Sequence, residues 1–299
     1  MSAQISAAGL DNTGNHGQAS LRTAARISLD RTGVSITTRH ALEFSLAHAQ
    51  ARDAVHSRLG VASLVAELRA RELVAIAVRS GARDRTEYLR RPDLGRTLSG
   101  ASRTALAACA GEGRALNPVP PMAGPSMAGP SMAGPTMADP TMAGTATVSV
   151  VFADGLSALA TERHALPLLD ALLPLLGVAG TGAASAPALW VLTPVVVAEQ
   201  ARVALADEIG AALHASVTVM LIGERPGLSS PDSLGAYITW APRPGRTDAE
   251  RNCVSNIRAE GLNYAAAADK IAWYASQGRR LGLTGVALRE SDTTKLPMP

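Results

Sequence analysis

The chain has 299 residues, 47% of them hydrophobic, and a formal charge of +3. That is enough apolar content for a sizeable core and too little charge for a nucleic-acid surface. Its positive side chains are nearly all scattered arginines, Lys270 and Lys295 being the lysines, and only 3% of residues are aromatic. This pattern argues for solvated faces and forked anion contacts rather than nucleic-acid binding.

No run of about 18 or more apolar residues is free of breakers, so no membrane span is expected. The polar start MSAQISAAGLDNTGNHGQ lacks the apolar centre of a signal peptide. Cys109 and Cys253 stand far apart, in neither a CxxC nor a Cys/His cluster. Together these features predict a reduced cytoplasmic chain with no disulfide framework and no metal site.

Residues 1–32, rich in Gly, Asn, Ser and Thr, read as a mobile lead. A small helical part follows over 33–70. TRHALEFSLAHAQARDAVHSRL is a helix capped at Thr37 or Thr38, with Leu42, Phe44, Leu46, Ala49 and Val55 as its apolar positions. VASLVAELRAR is a second, shorter helix.

The main domain runs over 71–299. LVAIAVRS, Leu73 to Ser80, is short, apolar and β-branched, a buried strand. RPDLGRTL follows, with Pro92 suited to a first helical turn, and a helix continues through SGASRTALAACA. Then PMAGPSMAGPSMAGPTMADPTMAG repeats every five residues from Pro121 to Gly144. Proline at that period forbids helix and ladder bonding. The unit is also too short to carry a buried face, so 118–145 is expected to be an exposed loop without a function of its own.

Beyond it the rhythm is regular: a strand TVSVVFADG, a helix LSALATERHALPLLDALLPLL, a strand ALWVLTPVVVA, a helix AEQARVALADEIGAALHA. The strands SVTVMLIGERPG and GAYITWAP and a closing helix NYAAAADKIAWYASQGRRLG complete it. Strands and helices alternating at these lengths predict an α/β protein with a mostly parallel sheet covered on both faces. Ligands in such sheets bind outside the carboxyl ends of the strands. Three tips are then singled out: Asp154 to Ser157, Pro194 onward, and Gly223 to Gly227.

The familiar phosphate and nucleophile motifs are missing. No GxGxxG follows a strand, and neither GxxxxGK[ST] nor GxSxG occurs. Asp154, Ser157 and His164 hold the groups of a hydrolytic triad but lie too close in sequence for its usual geometry, and the bland alternative has Asp154 and Ser157 capping the next helix. A stand-alone enzyme built on Asp154, Ser157 and Glu224 is the alternative to the reading below. Glu224 and Arg225 are either a surface ion pair or polar groups aimed at a ligand by Pro226 and Gly227. Cys253 in RNCVSNIR is either a small buried hydrophobe or a nucleophile, while Asn252, Ser255 and Asn256 beside it suit an amide-rich ligand. His48 sits at helical spacing from Arg52 and Asp53, which reads as a surface histidine paired to an acid.

Several of these segments together resemble the small (light) subunit of ethanolamine ammonia-lyase. The matching pieces are HAQARDAV at His48 to Val55, YLRRPDLGR at Tyr88 to Arg96, and ADGLSALA at Ala153 to Ala160. LIGERPGLSSPDSLGAYITWAPRPG and ERNCVSNIRAEGLNYAAAADKI follow, at Leu221 to Gly245 and Glu250 to Ile271. GERPGL and CVSNI are the most specific pair, and the likeness extends from about residue 30 to 290.

The resemblance implies a Rossmann-like domain behind a small helical N-terminal part. It implies an enzyme that converts ethanolamine to acetaldehyde and ammonia with adenosylcobalamin, as a hetero-dodecamer of six large and six small subunits. The small subunit is the non-catalytic one and completes the cobalamin site at the interface with the large. The family's cobalamin contacts fall on Val203, Glu224 and Cys253. The sequence holds no DxHxxG, so no protein histidine is expected on cobalt, as suits a base-on cofactor. Localisation is cytoplasmic, in some members within a protein-shelled bacterial microcompartment, although the lead here shows no obvious amphipathic helix. The Met-Ala-Gly-Pro repeat departs from the family pattern.

Overall fold

A computed structural model describes residues 31–32, 34–116, 146–178 and 190–290. Of the lead expected over 1–32, residues 1–30 lie outside the described residues and the last two form a strand; the loop expected over 118–145 also lies outside them. A two-stranded ribbon, β1 (Arg31–Thr32) and β2 (Ser35–Ile36), precedes α1 (Thr38–His56) and α2 (Val61–Ala70). Then come β3 (Ala75–Arg79), α3 (Arg85–Arg90), α4 (Gly100–Leu116), β4 (Ala146–Ala153), α5 (Ala158–Leu176), β5 (Trp190–Leu192) and β6 (Val195–Glu199). The chain ends with α6 (Leu205–Ala212), β7 (Val217–Gly223), β8 (Leu234–Trp240), β9 (Asn252–Ile257) and α7 (Tyr264–Leu281).

Seven strands form one mixed sheet in the order β3-β6-β4-β7-β8-β9, with β5 beside the start of β4. The pairings among β3, β5, β6, β4 and β7 are parallel, and those of β8 with β7 and β9 are antiparallel. Alternation along the central strands explains why their sequences read as unbroken apolar runs. Val148, Val150 and Phe152 of β4 and Val217, Val219 and Leu221 of β7 enter one core with α2, α5 and α7. Val151, Ala153, Met220 and Ile222 enter the other, with Leu106 of α4 and Leu205 and Ile209 of α6. Successive side chains face opposite sides, and helices cover both. The chain crosses from β4 through α5 to β6 on one face and returns through α6 to β7 on the other, so a crevice is expected at the carboxyl ends around β4.

Three local readings are corrected, and one strand is added. ALWVLTPVVVA is not one strand: Pro194 lacks an N–H, and the pairing to β4 moves by one residue between Val148↔Leu192 and Val151↔Val196. Pro194 therefore begins β6, and the tip of that line is at Glu199. Pro92 opens no helix; it follows α3, a short helix the sequence did not announce, whose N-cap is Asp84 accepting from the Glu87 amide. The helix expected over AEQARVALADEIGAALHA shrinks to α6, because Gln200 takes a left-handed turn (φ 56°) before it. CVSNI is β9.

Helix α1 also differs from its pattern. Its buried residues are Ala47 and Ala54, while Leu42, Phe44 and Leu46 are 65%, 50% and 61% exposed. The helix packs through small residues and turns its large apolar ones outward. Among the described residues, no helix is long and apolar enough to cross a membrane.

Candidate functional site

The carboxyl ends of the parallel strands open into a cleft of about 340 Å³. Tyr88 from α3, Gly155 and Leu156 after β4, Arg202 and Val203 after β6, and Ile222 to Arg225 at the end of β7 line it, with Tyr237 of β8. Each segment is placed by backbone chemistry. The Leu156 amide donates to Gly223 O at 2.9 Å, clipping the β4 and β7 tips together. A Cβ on Gly155, whose φ is +53°, would lie 2.2 Å from that same oxygen, so only glycine permits the clip.

Asp154 builds the neighbouring turn. Its carboxylate accepts from the Gln200 and Ala201 amides, both at 2.9 Å, and from Arg85 Nη1 at 3.3 Å. Arg85 also donates to Gly155 O at 2.9 Å and, through Nε, to Val55 O at 2.7 Å. Burial pushes the Asp154 carboxyl up to about 6, the two amides and Arg85 opposing it. By fixing 200–201, Asp154 sets where Arg202 and Val203 emerge. Tyr88 donates its hydroxyl to Ala201 O at 3.0 Å and carries the Arg202 guanidinium over its ring at 4.4 Å, with Arg85 at 4.8 Å.

Glu224 is half-buried and does not pair with Arg225, which is exposed. Its Oε2 accepts the Ser233 hydroxyl and the Asn256 amide, and its own amide donates to Ser233 O at 2.9 Å. Oε1 lies against Gly235, where a Cβ would come within 2.9 Å, at the irregularity that shifts the β8–β9 register. Cys253 is Tyr237's partner across β8 and β9. Its thiol is raised, by desolvation first and then by Glu224, despite the Tyr237 hydroxyl in hydrogen-bond reach. Cys253 is exposed on β9, so it is not the small buried hydrophobe expected, and a thiol held neutral is a weak nucleophile. Val203, Glu224 and Cys253 thus come to one place: two line the cleft and the third stands beside its Tyr237 wall.

The other candidates disperse. Ser157 caps α5 by accepting from the Ala160 amide, and its hydroxyl donates to Pro231 O at 3.0 Å. His164 Nδ1 meets the Tyr264 hydroxyl at 2.8 Å and Nε2 faces Asp232 at 3.3 Å. Asp154 serves backbone amides and Arg85, not the helix cap. Neither the triad nor the Asp154, Ser157, Glu224 set therefore forms. Asn252 is buried, bonded to the backbone of Gly285 and Leu288, and so faces no ligand. Ser255 and Asn256 stay exposed. His48 stacks on Phe44, centroids 6.3 Å apart, while Arg52 lies 3.7 Å from Asp53. Tyr88 and Arg202 were missed in the sequence, although the YLRRPDLGR match contains the first.

The sequence matches the family model described as "Ethanolamine ammonia-lyase light chain (EutC)" over residues 16–119 and 133–289. The chain belongs to this family. It is 47% identical to the ethanolamine ammonia-lyase small subunit of Azotobacter vinelandii over 268 residues, 90% of this chain and 85% of that one. The small subunit from Bradyrhizobium diazoefficiens is 46% identical over 92% of this chain and 90% of its own length. That from Ralstonia nicotianae is 46% identical, with 90% and 86% covered. Family membership thus spans both the sheet and the cleft. The residues between the two matched segments, 120–132, cover the first half of the Met-Ala-Gly-Pro repeat; its second half, 133–144, lies inside the match.

Proposed function

We propose that this light-chain family member is the non-catalytic subunit of an adenosylcobalamin-dependent ethanolamine ammonia-lyase. In that enzyme ethanolamine becomes acetaldehyde and ammonia, and this chain holds one side of the cofactor against a large subunit. The observation that carries the reading is the meeting of Val203, Glu224 and Cys253, far apart in sequence, around one cleft at the carboxyl end of the sheet.

The donor set suits the group. Glu224 has Oε1 to offer the amide side arms of a corrinoid, since Oε2 is already taken. Val203 supplies an apolar contact. Arg202 Nε is buried without a hydrogen-bond partner, as are Arg85 Nη2 and Arg251 Nε, but Arg202 alone of the three lines the cleft, where an acceptor from outside the chain can reach its guanidinium. No histidine is among the residues lining the cleft, which fits a base-on cofactor. A corrinoid is far larger than about 340 Å³, so a second surface must cover the rest of it. When bound, adenosylcobalamin supplies the radical by homolysis of its cobalt–carbon bond. The part left to this chain is to bind, orient and shield.

A partner also accounts for the outward Leu42, Phe44 and Leu46 of α1, with Val34 and Ile36 of the ribbon beside it in sequence, because exposed apolar groups of this kind mark contact surfaces. The assembly is a hetero-dodecamer of six large and six small subunits in the cytoplasm, with or without an enclosing microcompartment shell.

The test is release of acetaldehyde and ammonia from ethanolamine with adenosylcobalamin, by this chain alone, the large subunit alone, and the mixture. Activity in the mixture alone is expected. An inactive mixture, with the large subunit competent beside another small subunit, overturns the reading.

A further inference from the structure

Two guanidinium groups share the cleft, and neither meets an acid among the described residues. Arg202 and Arg225 both line it, yet among the described residues no carboxylate lies within ion-pair distance of either. Several arginines on the same fold find acidic partners, among them Arg71 with Asp170, Arg85 with Asp154, Arg163 with Asp232 and Arg251 with Asp207. An unpaired arginine fully in water needs no explanation, but Arg202 is half-buried. Its Nε is buried and unbonded, and its guanidinium rests on the Tyr88 ring at 4.4 Å.

Stacking on that face leaves the N–H groups at the edge, where a planar fork meets an oxyanion with two donors at once. The stem is fixed as well. A Cβ on Gly95 would come within 2.8 Å of Arg202 Cγ, and the Arg202 amide donates to Gly95 O at 2.8 Å. Glu224 is the one acid among the lining residues, and its Oε2 is occupied by Ser233 and Asn256. The cleft therefore carries an excess of positive charge. Arg225, exposed and carried just beyond the β7 tip, is free to close on an anion from the other side.

We propose that Arg202 and Arg225 form an anion subsite that takes the phosphodiester of a nucleotide-bearing ligand. The inference rests on the cofactor reading above and adds to it which end of the ligand this chain grips. In a corrinoid with its nucleotide tail, that tail carries a phosphodiester monoanion, while the side arms of the ring are neutral amides. Val203, Glu224 and Cys253 meet neutral groups; the arginines meet the charge. Arg202 is the preset half of the clamp, positioned by Tyr88 and Gly95, and Arg225 is the mobile half.

The experiment uses the assembled complex with the large subunit, and equilibrium dialysis against two probes. Cyanocobalamin carries the nucleotide tail; dicyanocobinamide is the same ring system without the phosphate. Arg202→Gln and Arg225→Gln are each expected to weaken cyanocobalamin binding by about ten-fold to a hundred-fold, the usual worth of a charge-assisted contact, and dicyanocobinamide binding by less than about two-fold. Arg202→Lys, which keeps the charge and loses the fork, is expected to fall between. Arg225 is exposed, so its variant carries the test even if the stacked Arg202 proves intolerant. Equal losses on both probes, or no loss on either, overturns the anion subsite and leaves the cofactor reading standing. A wild-type complex that binds neither probe overturns both.

Discussion

Arg85 and Asp154 form an ion pair whose side chains are only 9% and 3% exposed. The pair joins the end of α1, through the Arg85 contact to Val55 O, to the turn after β6, through the Asp154 contacts to Gln200 and Ala201. It is the peg beneath the cleft floor. A buried pair of this kind is costly to break from one side, because the remaining charge and the two amides are left without partners. Asp154→Ala is therefore expected to lower stability by about 3–5 kcal/mol, read from urea unfolding of the isolated chain. A loss below about 1 kcal/mol would show that water repairs the site.

The same carboxyl predicts an unusual pH dependence. Burial raises Asp154 to about 6 in the folded chain, from an ordinary 3.8. Between those values the folded state holds a proton that the unfolded state has released, so this group's contribution is full below the lower value and is lost as pH rises through the upper one. The stability of wild type relative to Asp154→Asn should therefore fall from pH 4 to pH 6, by up to about 3 kcal/mol. Urea midpoints at half-unit steps across that window measure it. A difference that instead grows with pH means that Arg85 and the amides outweigh burial.

Most of the sheet was legible in the sequence, because β4, β6 and β7 are buried on both faces and the apolar runs say so directly. Their mostly parallel pairing and the cleft at their carboxyl ends follow from alternation with helices, while the strand order does not. The finer features were hidden for physical reasons. The break at Pro194 is a register shift against β4, which only the partner strand reveals. The outward Leu42, Phe44 and Leu46 belong to a pattern that normally marks a buried face; here Ala47 and Ala54 do the burying. The role of Asp154 depends on amides 46 and 47 residues away, a distance no local motif encodes. Glu224 drew attention correctly as a strand-tip acid, but its partners proved to be Ser233 and Asn256, not Arg225. Tyr88 and Arg202 stood out in no motif of their own, since one is a ring in a short helix and the other a single arginine among many.

Glu224 divides binding from assembly. Its Oε2 bonds hold the Ser233 and Asn256 segments together, while Oε1 is the atom left for a ligand. Glu224→Ala is expected to weaken cobalamin retention by the assembled complex about ten-fold or more, without preventing assembly. Glu224→Gln, which keeps an acceptor, should lose less. Retention after gel filtration of the complex, read from corrin absorbance, distinguishes them. Unchanged retention in Glu224→Ala would remove this residue from the cofactor contacts.

The repeat gives a prediction of the opposite sign. Residues 120–132 lie outside the family match, in the connection between α4 and β4. Connections lengthen at small entropic cost, roughly 0.6 kcal/mol per doubling. Deleting Pro121 to Gly144 and bridging the ends should leave assembly and turnover within about two-fold of wild type. A deletion that no longer assembles with the large subunit would assign the repeat a docking role.

The clip between the β4 and β7 tips can be tested by comparing two glycines. Gly155 and Gly282 both have left-handed backbones, with φ of +53° and +68°. A Cβ on Gly282, at the end of α7, meets no atom within 4 Å; one on Gly155 meets Gly223 O at 2.2 Å and Ile222 Cγ1 at 2.5 Å. Gly282→Ala thus reports backbone strain alone, about 1–2 kcal/mol. Gly155→Ala adds overpacking against backbone that cannot step aside, a further 1–3 kcal/mol or so. It must also lengthen the Leu156 to Gly223 hydrogen bond, and with it shift the wall that carries Glu224. Gly155→Ala should therefore lose stability beyond Gly282→Ala and, once assembled, weaken cobalamin retention, which Gly282→Ala should leave unchanged. Equal losses in stability would mean that the tips yield to the added methyl and that the clip does not fix the cleft.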